Sequence, residues 1–361
     1  DVAITGTINS GTMPIHFIGC SGVSIDVGGP GSTTTGQMRV DRSELSKLTS
    51  TNLTFNAESA SIHVYETQSQ DTTGVTDRVT FNAAKNLVFA DSNVWKSMRG
   101  VAPKLNISAD IKTWEDHMVF ESTEYYVDSG VWVQSEIGNI YVEPTSGGSG
   151  SMRSETPVTW RSANDVTFEV PMTVFGSGSI MFQSDSDEDA SGTLSFSSAS
   201  GITSSGTPDA IVFTAADMIL EAQVQARATN VTVQVSNSTS STLSVGANAG
   251  GLHLSDAELD RILTTSSLTL GSEQTMFVIV NGASHSDRPA DVFIRAEKDV
   301  TFTGSPSSFS TRTGIHAYND VVINTAVGTA NGEVTIRPDS DCNGAGILKV
   351  TGSGAVFTNS Q

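Results

Sequence analysis

Val79-Thr-Phe-Asn-Ala-Ala-Lys-Asn-Leu-Val-Phe89 reads as a strand, a small-residue corner ending in Asn, and a second strand. The phrase returns as Val158-Thr-Trp-Arg-Ser-Ala-Asn-Asp-Val-Thr-Phe168 and as Val292-Phe-Ile-Arg-Ala-Glu-Lys-Asp-Val-Thr-Phe302. In every copy apolar residues stand at alternate positions, the period of a half-buried strand. One copy cannot bury its own apolar face, so the phrase makes physical sense where copies stack. The expected fold is all-β: a parallel β-helix (β-solenoid) with irregular rungs and one or two short capping-box helices. A sandwich or barrel would also give short alternating strands. It would not require the recurring Ala-x-x-Asp corner, which stacked rungs do, because their corners lie above one another and face one constraint.

Outward from that phrase, short strands bounded by Gly, Asn, Asp and Ser turns fill the chain, among them Asn52-Leu-Thr-Phe, Asn139-Ile-Tyr-Val, Asp320-Val-Val-Ile and Glu333-Val-Thr-Ile. Two longer repeats lie over this background. Met38-Arg-Val-Asp-Arg-Ser-Glu-Leu-Ser-Lys-Leu-Thr-Ser-Thr-Asn-Leu-Thr-Phe55 pairs with Leu252-His-Leu-Ser-Asp-Ala-Glu-Leu-Asp-Arg-Ile-Leu-Thr-Thr-Ser-Ser-Leu-Thr-Leu270. In each, Asp41 or Ser255 stands three places before Glu44 or Glu258, the signature of a helix start. Glu44 with Lys47, and Glu258 with Arg261, have the spacing of i,i+3 ion pairs. The second repeat pairs Asp185-Ser-Asp-Glu-Asp-Ala-Ser-Gly-Thr-Leu-Ser-Phe196 with Asp339-Ser-Asp-Cys-Asn-Gly-Ala-Gly-Ile-Leu-Lys-Val350. We read residues 1–361 as a single continuous solenoid holding a duplicated unit, about 36–248 and 249–361, the second incomplete.

With these segments the chain resembles the filamentous-haemagglutinin-like, β-strand-repeat proteins of cell surfaces. The resemblance rests on the Asp/Ser-x-x-Glu-Leu-x-Arg/Lys-Leu/Ile segment with its following Leu-Thr-Phe/Leu, and on the Asp-x-Asp turn that runs through Gly to Leu. It implies an adhesive or fibre-forming protein with a parallel β-helical shaft and no catalytic residues.

Composition narrows the function. The 361 residues carry 19 Lys and Arg against 39 Asp and Glu, a net charge of -20, with only 16% charged residues and 33 Gly. Such a charge repels nucleic acid and anionic membranes and suits solubility, cation binding and an extracellular setting. No apolar run approaches the roughly 18 residues that span a bilayer. Asp1-Val-Ala-Ile-Thr-Gly-Thr-Ile8 already alternates like a strand, and so does Gly346-Ile-Leu-Lys-Val-Thr-Gly-Ser-Gly-Ala-Val-Phe357. We therefore expect a processed product or a segment of something longer, with axial contacts at residues 1–8 and 347–357. If the solenoid is continuous, about 12 to 15 rungs of roughly 4.8 Å hold Cys20 and Cys342 some 50 to 70 Å apart, beyond reach of an internal disulfide. A bridge between Cys20 of one subunit and Cys342 of the next stays open, beside the alternative of two free thiols. Asn-x-Ser/Thr sequons stand at Asn52, Asn106, Asn230 and Asn237.

For chemistry, Asp185, Asp187 and Asp189, and likewise Asp339, Asp341 and Asn343, have the alternate spacing that can wrap oxygens around Ca²⁺. The other reading is a solvated turn in which Asp caps backbone N–H groups. No cofactor is otherwise required. His16, His63, His117, His253, His285 and His316 are scattered, and metalloprotease, thiol-redox, nucleophile-elbow and Walker motifs are missing from the sequence. A carbohydrate-active β-helix enzyme would place carboxylates with Arg or Lys on one strand face. Arg337 beside Asp339 and Asp341, and Arg295 with Lys298, come nearest to that. Threonine arrays for ice or mineral binding lack a regular ladder. Among Trp95, Trp114, Trp132, Trp160, Tyr125, Tyr126 and Tyr141, the stretch from Trp114 to Trp132 is the first place to seek a lateral interface. The expectation is a structural, non-enzymatic subunit of an extracellular filament or surface appendage, its partner itself in a head-to-tail homopolymer. An adhesin shaft contacting surface glycans is the alternative.

Overall fold

Alternation along the repeated phrase becomes burial in space. Val79, Phe81 and Ala83 are buried with Thr80 and Asn82 half-buried between them, and Leu87 and Phe89 are buried on either side of half-buried Val88. The computed structural model describes residues 3–29, 38–146, 148–236, 241–247, 250–285 and 290–358. The strands pair in parallel, in long stacks without barrel closure, and the fold is an all-β parallel β-helix. The chain falls into two compact units, Asp1–Phe175 and Gly176–Gln361.

In the first unit a column of inward residues runs Phe17, Phe55, Phe81, Gly100, Phe120, Val142, Phe168 through successive rungs. Phe17, Phe55 and Phe81 stack with centroids 5.3 and 5.6 Å apart, the offset face-to-face contact that one-rung spacing imposes on aromatic ladders. Gly100 interrupts them because a Cβ there would lie 2.7 Å from Leu87 Cδ2. The long strands Met98–Ile107 and Met118–Val127 each cross a corner: Met98 to Val101 pair with Val79 to Asn82, and Lys104 to Ile107 with Asn86 to Phe89. Asn93–Trp95, Ile111–Thr113, Val131–Ser135 and Val158–Ser162 form the third face.

The second unit keeps the same logic. One column runs Phe182, Phe213, Val233, Leu270, Ile294, Ile315, Ile336. Another runs Leu243, Val278, Val300, Val321, Leu348. A corner residue explains why Asn or Asp recurs in the phrase. Asp299 Oδ1 accepts from the backbone N–H of Asp320 (3.0 Å), and Asp320 Oδ1 accepts from that of Ile347 (3.0 Å). In the first unit Asn139 Oδ1 accepts from Asp165 N–H (3.1 Å). The corner backbone bends out of the strand ladder, and the short side chain of the rung beneath supplies the acceptor it would otherwise lack.

The two expected helices are present as α1 (Arg42–Leu45) and α2 (Asp256–Leu259), each with a complete capping box, and a 3₁₀ turn spans Ser69–Thr72. Their glutamates do not make the expected i,i+3 ion pairs. Glu44 Oε2 accepts from Asp41 N–H and Oε1 from Ile4 N–H; Glu258 Oε2 accepts from Ser255 N–H and Oε1 from Leu220 N–H. The basic partners reach the same two residues instead, Lys47 Nζ donating to Ile4 O (2.5 Å) and an Arg261 guanidinium N–H to Leu220 O (2.7 Å). Each helix thus clamps one residue of an adjoining segment by both its N–H and its C=O. The strand pairing around the two clamps also matches: Ile8 pairs with Leu48 as Val224 pairs with Ile262, and Phe17 with Phe55 as Val233 with Leu270.

Candidate functional site

The last rung of the second unit leaves its core side chains open. Val334–Arg337, Leu348–Val350 and Ala355–Thr358 each pair on one side, with Thr313–Ala317, Val321–Ile323 and Ala326–Thr329. The inward positions Leu348, Val350 and Val356 are 47%, 49% and 43% exposed. Their counterparts in the matching acidic-turn segment, Leu194, Phe196 and Ile202, are at most 1% exposed. At the first rung of the first unit the same contrast appears. Ile8 is 40% exposed where Val224 is 1%, and Gly6 is exposed where Ala222 is buried. Ile4, Phe17, Val40 and Leu45 are nevertheless buried there, so α1 closes part of that end. The sequence-predicted axial segments therefore hold unpaired, partly apolar strand edges, the feature that soluble β proteins usually blunt.

Both acidic turns adopt one geometry. Left-handed φ values fall at Asp185 (57°), Glu188 (62°) and Ala190 (70°), and at Asp339 (55°), Cys342 (60°) and Gly344 (83°). Ala190 N–H donates to both oxygens of Asp185 (3.1 and 3.2 Å), and Gly344 N–H to both of Asp339 (3.0 and 3.0 Å). Asp189 Oδ1 and Asn343 Oδ1 accept from the N–H two residues on. Asp185 is buried and also accepts from the Ser236 hydroxyl. Burial pushes its carboxyl above the ordinary carboxylate range, against the pull of the Ser236 and Ala190 donors, with the Asp189 charge adding to the rise. Oxygens of Asp185, Asp187 and Asp189 lie within 4.8 Å of one another. The backbone and hydroxyl donors already occupy the Asp185 and Asp339 carboxylates, which accounts for the turns as caps; a cation would have to compete with those donors.

Cys20 and Cys342 are both free and exposed. Of the sequons, Asn230 is exposed, Asn52 and Asn106 are half-buried within strands, and Asn237 lies outside the described residues. Trp95, Trp160 and Tyr125 are buried in the core, Trp114 is half-buried, and Tyr126 and Trp132 are exposed. The charged corners converge in a way the sequence did not suggest: His316 stands in register between Arg295 and Arg337. With Tyr318 and Asp341 they line a groove of about 330 Å³. Burial, and then the two guanidinium charges, hold His316 below its ordinary pKa. Lys298 lies instead beside the Phe277 ring. His63 Nδ1 meets Asp26 at 3.2 Å and His253 Nε2 meets Gly246 O at 2.8 Å.

No protein-family model, curated protein or solved structure matches the chain. No helix of the described residues is long and apolar enough to cross a membrane.

Proposed function

We propose that this protein is a structural subunit of an extracellular filament or surface appendage, assembling head to tail through its open solenoid ends. The observation that carries the reading is the exposure of Leu348, Val350 and Val356, inward residues of a last rung whose strands each pair on one side. Covering each half-exposed side chain is worth roughly 1 kcal/mol, and the strand edges add directed backbone hydrogen bonds to that gain. Resemblance to filamentous-haemagglutinin-like solenoids supports the same reading, and the net charge of -20 keeps lateral contacts between such subunits repulsive while leaving the apolar ends free to meet.

Electron microscopy of the purified chain, beside gel filtration, tests this. Filaments or end-to-end oligomers with a repeat of several tens of Å are expected. Monodisperse monomers at high concentration would overturn the assembly reading, and monomers that cleave a polysaccharide would replace it with an enzymatic one.

A further inference from the structure

The chain contains its own template for the contact between copies. The last rung matches an inner one position for position: Ile180 and Phe182, the turn at Asp185, then Leu194, Phe196 and Ile202 correspond to Val334 and Ile336, the turn at Asp339, then Leu348, Val350 and Val356. The three left-handed residues of each turn fall in the same places. The first rung matches the next inner rung. Ile4 and Ile8 correspond to Leu220 and Val224, because the Glu44 and Glu258 clamps hold Ile4 and Leu220 alike. Inside the chain those two rungs are stacked: Phe196 pairs with Leu220 and Ile202 with Val224, with Glu221 N–H donating to Phe196 O and Ile202 N–H to Gln223 O, both at 2.9 Å.

We propose that a second copy of this chain seats its Ile4–Ser10 edge on the last rung in the register of that inner junction. Val350 then lies over Ile4 and Val356 over Ile8, with Thr5 N–H donating to Val350 O and Val356 N–H to Thr7 O. The proposal rests on the head-to-tail reading and specifies its contact. It covers the positions that the inner junction covers: Ala222, Val224 and Ala226 are buried where Gly6 and Ile8 are exposed and Ser10 half-exposed. The strand Ala210–Ala215, which joins the two inner rungs, has no counterpart among the described residues at either end.

The cysteines supply a further check, since the side chain of neither entered the alignment. Cys342 takes the place of Glu188, whose N–H bonds the carbonyl of Asp185 at 3.2 Å. Cys20, one residue past Gly19, takes the place of Ser236, one residue past Val235, whose hydroxyl bonds the Asp185 carboxylate. The only two thiols of the sequence thus meet at one acidic turn when the copies stack. With oxidised glutathione as oxidant, the two thiols lose their protons and join in one S–S bond, while one glutathione disulfide is reduced to two thiols.

The test is non-reducing electrophoresis of the full chain after incubation with oxidised glutathione, alongside Ile8→Cys with Val356→Cys on a Cys20→Ser, Cys342→Ser background. A mismatched pair, Ile8→Cys with Leu348→Cys, serves as control. Ladders from the native and the matched pairs, at least tenfold stronger than from the mismatched pair, are expected. A matched ladder without a native one keeps the register and overturns the cysteine contact. Filaments by microscopy with no matched ladder, or with an equal mismatched ladder, overturn this junction and leave the assembly reading standing. Monomers with no ladder overturn both.

Discussion

The rung from Ile180 to Ser204 and the rung from Val334 to Thr358 are built alike and end differently. Both run strand, acidic turn, strand, strand, with the same left-handed positions and the same carboxylate capping the same N–H. The inner rung has Asp217–Leu220 and Val224–Arg227 stacked on it and buries Leu194, Phe196 and Ile202; the last rung leaves Leu348, Val350 and Val356 in water. The difference teaches that burial in this fold depends on the neighbouring rung more than on the rung's own sequence. Side chains of one character are core in one place and surface in the other.

That comparison breaks most visibly with a carboxylate. Leu194→Asp is expected to destabilise the protein by about 4 kcal/mol or more, through an unpaired buried charge and lost packing, read as a fall in the thermal midpoint by circular dichroism. Leu348→Asp should stay within about 0.5 kcal/mol of the parent yet abolish end-to-end assembly under the microscope. Equal destabilisation by both would mean that the last rung is covered in solution by this chain itself.

Next in size are the two clamps. Glu258→Ala removes the capping box of α2 and leaves Leu220 N–H without its acceptor, an expected loss of about 2 kcal/mol in urea unfolding. Glu44→Ala should cost less, because the segment it holds at Ile4 leads into the open edge strand Ile8–Asn9. A larger loss at Glu44 would reverse the order of the two ends.

The corner carboxylates sharpen the contrast further. Asp299→Ala, which strips acceptors from Asp320 N–H and the Asn319 amide, is expected to cost about 1 kcal/mol. Asp320→Ala frees only the exposed Ile347 N–H and should cost about half that or less, measured in the same unfolding series.

The smallest effect is a pH dependence. Burial raises the Asp185 pKa, so its contribution to stability is full below the unfolded carboxyl value near 3.8 and is lost as pH rises through the higher folded value. Asp185→Asn should therefore flatten the rise in thermal midpoint that this group gives on moving from neutral toward acid. A variant with the parent's pH profile would contradict the assignment.

Much of the fold was legible because the repeated phrase carries both its period and its corner. Val79, Phe81, Leu87 and Phe89 announced the buried face, and Asp299 with its relatives announced the stacked turn. The helices were readable from Asp41 with Glu44 and Ser255 with Glu258, but their use was not. A capping box predicts one carboxylate oxygen; the other, which holds Ile4 or Leu220, has its partner 40 or 38 residues away. The open ends were suggested by alternation in residues 1–8 and 347–357, whereas their match to the inner junction required the pairing register. The basic column of Arg295, His316 and Arg337 was illegible for the same reason, since residues of three separate rungs make it. Regular spacing of a cation on successive phrases is the signal that could have found it.

Because the strands pair in parallel, any stack of these rungs is polar, with two unlike tips. A chain carrying Leu348→Asp keeps a sound leading tip and a dead trailing one. It would add once to a growing assembly and then stop it, as a chain terminator does in polymer chemistry. Small molar fractions of such a chain would therefore set the length of the whole population.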